Sequence, residues 1–81
     1  LLFIHHLYTM KKIKKIKIRV NGKIKTIIDK LILAELIKDL KIPLNKVAIE
    51  LNKEIVNKKK INNIRLRNND IIEIVHFIGG G

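Results

Sequence analysis

The stretch Ile71-Ile72-Glu73-Ile74-Val75-His76-Phe77-Ile78-Gly79-Gly80-Gly81 joins an apolar run, alternating about one carboxylate, to three consecutive glycines. Such a run reads as a β-strand with one face in the core. Glu73 decides which face that is. An unpaired carboxylate is costly to bury, so Glu73 and the residues in step with it, Ile71, Val75 and Phe77, belong on the solvent side, with Ile72 and Ile74 on the core side. Val75 and Phe77 are then exposed apolar residues beside the tail, the mark of an interaction site, and they are the candidate partner-docking residues. The glycines have no Cβ and fit a channel too narrow for any other residue. Extended, they carry the terminal carboxylate roughly 10 Å past the sheet. Gly79 and Gly80 are therefore the candidate thread, and the Gly81 carboxylate is the candidate reactive group. With a pKa of about 3.5 it is an anion at neutral pH and a poor electrophile. Acyl chemistry there first requires a leaving group.

Upstream, Asn68-Asn69-Asp70 is a turn, Ile64 and Leu66 tuck beneath the sheet, and Lys58-Lys59-Lys60 reads as a solvated loop. Val47, Ile49 and Leu51 alternate with Ala48 and Glu50 as a third strand, which turns at Asn52-Lys53 into a short fourth, Glu54 to Val56. Leu33, Leu36, Ile37 and Leu40 fall at i, i+3, i+4 and i+7, the stripe of an amphipathic helix from about Leu31 to Leu40. Asp29 is its expected N-cap and Pro43 its stop. Before it, Ile16, Ile18 and Val20 alternate with Lys17 and Arg19, Asn21-Gly22 marks a hairpin turn, and Lys23 to Ile28 returns. The order strand, strand, helix, strand, strand, strand predicts an α+β domain. One helix packs on one face of a mixed sheet of four to five strands.

A chain of 81 residues holds one domain and buries only about 60% of its unfolded surface. It contains no cysteine, hence no disulfide or thiol nucleophile, and His5, His6 and His76 have no metal-site spacing. A net charge of +11 and a pI near 10.2 suggest nucleic acid or an anionic membrane. However, Lys, Ile and Asn are abundant together, as A+T-rich codons would make them, and aromatics at 4% leave few platforms for base stacking. No specific nucleic-acid or membrane partner is expected. Residues 1–9 are apolar, precede Met10, are too short to span a bilayer and lack a basic n-region and cleavage site. They are read as an extension outside a domain of residues 10–81. The compartment expected is the cytoplasm, or the plastid stroma in an organelle.

Two stretches, Leu33-Ala34-Glu35-Leu36-Ile37-Lys38-Asp39-Leu40 through Val47-Ala48-Ile49-Glu50-Leu51-Asn52-Lys53-Glu54-Ile55-Val56, and Asp70 through Gly81, resemble the ThiS family of thiamine-biosynthesis sulfur carriers, within the ubiquitin-like β-grasp group. With the Asn21-Gly22 hairpin the resemblance covers Met10 to Gly81. It implies a β-grasp with the last strand central. Lys53 departs from the pattern, because the family often has glycine there.

The resemblance implies a carrier rather than an enzyme. A ThiF-like adenylyltransferase, using ATP and Mg, would adenylate the Gly81 carboxylate. A sulfur donor such as a cysteine desulfurase system would then displace AMP to leave a thiocarboxylate, and a ThiG-like thiazole synthase would take the sulfur. No bound cofactor is implied. The small subunit of molybdopterin synthase shares the fold and diglycine, but His76-Phe77-Ile78 before the glycines favours the thiazole branch. A basic nucleic-acid-binding module is the alternative from another class, marked by salt-sensitive retention. His76 has no carboxylate or serine at a spacing that would orient it as a base, and reads as a strand-edge or docking residue.

Overall fold

The computed structural model describes residues 13–77; the N-terminal extension and the glycine thread lie outside the described residues. Strand β1 (Lys15–Val20) pairs antiparallel with β2 (Lys23–Ile28), Lys15 opposite Ile28 and Val20 opposite Lys23. The turn sets this register. Asn21 and Gly22 have φ of 49° and 82°, and a two-residue type I′ hairpin requires positive φ at both positions.

Helix α1 spans Leu33–Asp39, inside the expected bounds. The N-cap expected at Asp29 is not formed: Ile32 holds that position, with no side-chain cap. Residues 30–33 pair instead with residues 64–66, Leu66 N–H donating to the Leu31 carbonyl (2.8 Å) and Leu33 N–H to the Ile64 carbonyl (2.8 Å). A backbone carbonyl thus serves a helix-end N–H that a cap would otherwise satisfy. Asp29 turns to Lys14, 3.8 Å away. Nor is Pro43 the stop. The helix closes with a Schellman motif: Lys41 takes φ 56°, and the Lys41 and Ile42 amides donate to the Lys38 and Ile37 carbonyls at 3.0 and 3.2 Å.

A 3-10 turn, Leu44–Lys46, leads into β3 (Val47–Leu51), and β4 (Glu54–Ile55) returns against it. The intervening Asn52 and Lys53 have φ of 52° and 71°, so a lysine sits where the turn favours glycine. That conformation costs a non-glycine residue roughly 1 kcal/mol. Lys53→Gly is expected to raise unfolding free energy by about 0.5–1 kcal/mol in equilibrium denaturation. A destabilised variant would show that the Lys53 side chain makes compensating contacts.

The Lys58-Lys59-Lys60 run is not a loop. It opens a 3-10 segment, Lys58–Asn63. The Asn57 side chain accepts from the Lys59 amide at 3.0 Å, and buried Ile61 pins the segment to the core. Strand β5 (Ile71–His76) then enters the middle of a five-stranded sheet ordered β2-β1-β5-β3-β4, parallel to β1 and antiparallel to β3. Leu33, Leu36 and Ile37 of α1 close one face of the sheet over Ile16, Ile18, Ile49, Ile72 and Ile74, with Leu66 beneath. Fully burying each large aliphatic is worth about 1.5–3 kcal/mol. Ile72 and Ile74 anchor β5 in this core, with a strand on either side of it.

Candidate functional site

Strand β5 alternates as Glu73 requires. Ile72 and Ile74 are buried, whereas Ile71, Val75 and Phe77 are 39%, 52% and 54% exposed on the face opposite the helix. The register carries that face onto the neighbouring strands. Val75 lies opposite Ala48 and Glu73 opposite Glu50 on β3, and Glu50 in turn faces Ile55 of β4, which is 80% exposed. The result is a band of Ile55, Ile71, Val75 and Phe77 around two carboxylates. Like charges directly opposite one another are unfavourable, and neither glutamate has an ion-pair partner among the described residues.

Phe77 is the last described residue and the root of the tail. Its amide donates to the Lys46 carbonyl at 3.0 Å, so the β3 side of β5 is bonded to its end. The Lys58 ammonium stands 5.2 Å from the Phe77 ring centroid, an exposed cation–π contact worth about 0.5–1 kcal/mol. His76 is exposed, and its side chain makes no hydrogen bond or ion pair among the described residues. Among the described residues it has no orienting partner of the kind that general-base catalysis calls for. Gly79, Gly80 and Gly81 lie outside the described residues.

The structure therefore places Val75 and Phe77 on one exposed face at the end of the described chain and adds Ile55, Ile71 and Lys58 to their surroundings. Ile55 and Lys58 are invisible to periodicity. They reach the site through the β3–β4 turn, legible as Asn52-Lys53, and through the Asn57-capped segment, which reads from sequence as a loop. No cluster of metal-ligating side chains occurs among the described residues, and no helix there is long and apolar enough to cross a membrane.

The sequence profile of the ThiS family matches residues 12–81. A sulfur carrier protein ThiS from Bacillus subtilis is 51% identical over 35 residues, 43% of this chain and 53% of that protein, so the match spans about half the relative's length. A crystal structure of the thiamine biosynthesis protein ThiS from Geobacter metallireducens superposes with a TM-score of 0.73 at 30% identity, covering 82% of this chain and all of that one.

Proposed function

Because this chain belongs to the ThiS family, we propose that it is a sulfur carrier whose Gly81 carboxylate is loaded as a thiocarboxylate and spent on the thiazole of thiamine. The observation that carries this reading is the placement of β5. The central strand of the sheet is the one that precedes the glycine thread in the chain, and it carries an exposed apolar face. A rigid body, a docking surface and a terminal carboxylate are what a carrier needs. The chain performs no bond chemistry of its own.

In the proposed sequence a Gly81 carboxylate oxygen attacks the α-phosphorus of ATP on a ThiF-like adenylyltransferase, and pyrophosphate leaves. Magnesium on that enzyme accompanies the nucleotide. The mixed anhydride that results has AMP as a good leaving group. Hydrosulfide, supplied by a donor such as a cysteine desulfurase system, attacks the acyl carbon; the carbon–oxygen bond breaks, and AMP departs with the electron pair. A thiocarboxylate is left. It is a better nucleophile than the carboxylate, and a ThiG-like thiazole synthase takes its sulfur. Val75 and Phe77 supply the apolar contact with the activating enzyme, and Gly79 and Gly80 let the carboxylate reach the nucleotide.

Incubating the full chain with a ThiF-class enzyme, ATP, Mg and sulfide tests the reading. Mass spectrometry should find the mass difference between sulfur and oxygen on the C-terminal peptide, and the chain should stimulate ATP–pyrophosphate exchange. A chain that stimulates no exchange and stays unmodified is not a carrier of this kind.

A further inference from the structure

Strand β1 leaves β5 early. Their parallel register pairs Arg19 with Ile71 and Val20 with Ile72, and β1 then turns away at Asn21-Gly22 while β5 continues to His76. The tail-proximal half of the central strand would have an open flank on that side. The Asn21 side chain stands in the gap. Its backbone N–H donates to the Ile72 carbonyl at 2.9 Å. Its Oδ1 accepts from the Ile74 N–H at 2.7 Å, and its Nδ2 donates to the Ile74 carbonyl at 3.3 Å, both part-buried. One carboxamide reproduces the donor and acceptor of a missing strand residue and prolongs the β1 flank by one step.

We propose that Asn21 is a positioning residue for sulfur loading: its carboxamide holds the second half of β5 at Ile74 and so fixes Val75 and Phe77, the residue from which the tail departs, relative to the rest of the sheet. The inference rests on the carrier reading. When the activating enzyme grips the body by the Val75–Phe77 face, the point from which the tail departs is set by how β5 is held at Ile74. The four residues after Phe77 span at most about 14 Å. Drawn out in the activating enzyme's channel, a thread of that length turns a tilt of a few degrees at its root into a shift of about 1 Å at the terminus, a misplacement that can cost on the order of 100-fold in rate.

The fold supplies its own control. At the opposite end of β5, Asn52 makes a related clasp, its Oδ1 accepting from the Ile71 N–H at 2.9 Å and its Nδ2 donating to Asp70 Oδ1 at 3.0 Å. Both asparagines have positive φ, 49° and 52°, so glycine at either position keeps its turn and removes only the clasp. Both variants would be assayed with the activating enzyme, ATP, Mg and sulfide, alongside thermal denaturation and amide exchange.

Asn21→Gly is expected to lower kcat for thiocarboxylate formation about tenfold or more, with KM for the carrier within about twofold, the pattern of a lost orientation rather than lost docking. The Ile74 amide should exchange faster while the Val56 amide, which donates to the Ile49 carbonyl at 2.8 Å, keeps its protection. Asn52→Gly should change both kinetic constants by less than about twofold even where it lowers Tm as much. Asn21→Asp keeps the acceptor for the Ile74 N–H and should recover most of the rate. Equal kcat losses in the two glycine variants, or an undiminished kcat in Asn21→Gly, overturn the assignment. Failure of the unmodified chain to load strikes the carrier reading instead.

Discussion

Removing Gly80 and Gly81 is expected to abolish thiocarboxylate formation completely while leaving the unfolding free energy nearly unchanged. The core ends along the chain at Ile74. The last described rung of the sheet is the bond from Phe77 N–H to the Lys46 carbonyl. Both features precede the deletion, and terminal residues carry little of a domain's stability unless they are tied down. The truncated chain still ends in a carboxylate, on Gly79, so the loss would be one of reach rather than of functional group. It should therefore bind the activating enzyme through Val75 and Phe77 and act as a competitive inhibitor of loading. Mass spectrometry, denaturation and an inhibition assay together separate the outcomes. A truncated chain that unfolds would make the glycines structural and remove the carrier reading's main support.

The elements legible in the sequence are those whose cause is local. Asn21-Gly22 dictates its turn by backbone sterics, so the hairpin's strands begin and end within a residue of where alternation puts them. The two faces of β5 follow from one carboxylate, and Ile72 and Ile74 are buried as Glu73 demands. The helix stripe was readable because packing needs i, i+3, i+4 spacing, but its N-terminus was not. The partner of that end, the Ile64 carbonyl, arrives from a distant segment, and Asp29 had only local logic in its favour. The Lys58–Asn63 segment was hidden for a similar reason. Three lysines read as solvent-facing, while its causes are the Asn57 cap on one side and burial of Ile61 on the other. The same limit applies at the site. Val75 and Phe77 are visible from alternation, whereas the Lys58 contact with Phe77 and the clasp of Asn21 on Ile74 join residues far apart in the chain. A turn asparagine signals its backbone angle and says nothing about where its carboxamide goes.

Phe77→Ala and Ile74→Ala should separate binding from stability within one strand. Phe77 is 54% exposed, and its described side-chain partner, the Lys58 ammonium 5.2 Å from the ring, is itself at the surface. Its loss should cost the fold no more than about 1 kcal/mol. On the activating enzyme the same ring is expected to act as an aromatic anchor, and truncating it should weaken binding by about 1–3 kcal/mol, or roughly 5- to 150-fold in Kd. Ile74 is 6% exposed and packs in the core. Ile74→Ala should open a cavity costing about 2–5 kcal/mol, a large part of what a domain this small can hold. At a temperature where the variant stays folded, its binding should be close to that of the parent chain. Urea denaturation of both variants and titration against the activating enzyme read the two axes independently. If Phe77→Ala proves the more destabilising and binds normally, the docking surface is not the Val75–Phe77 face. It must then be sought on the other side of the strand, the side of Ile72, Ile74 and His76, where His76 is exposed next to Phe77.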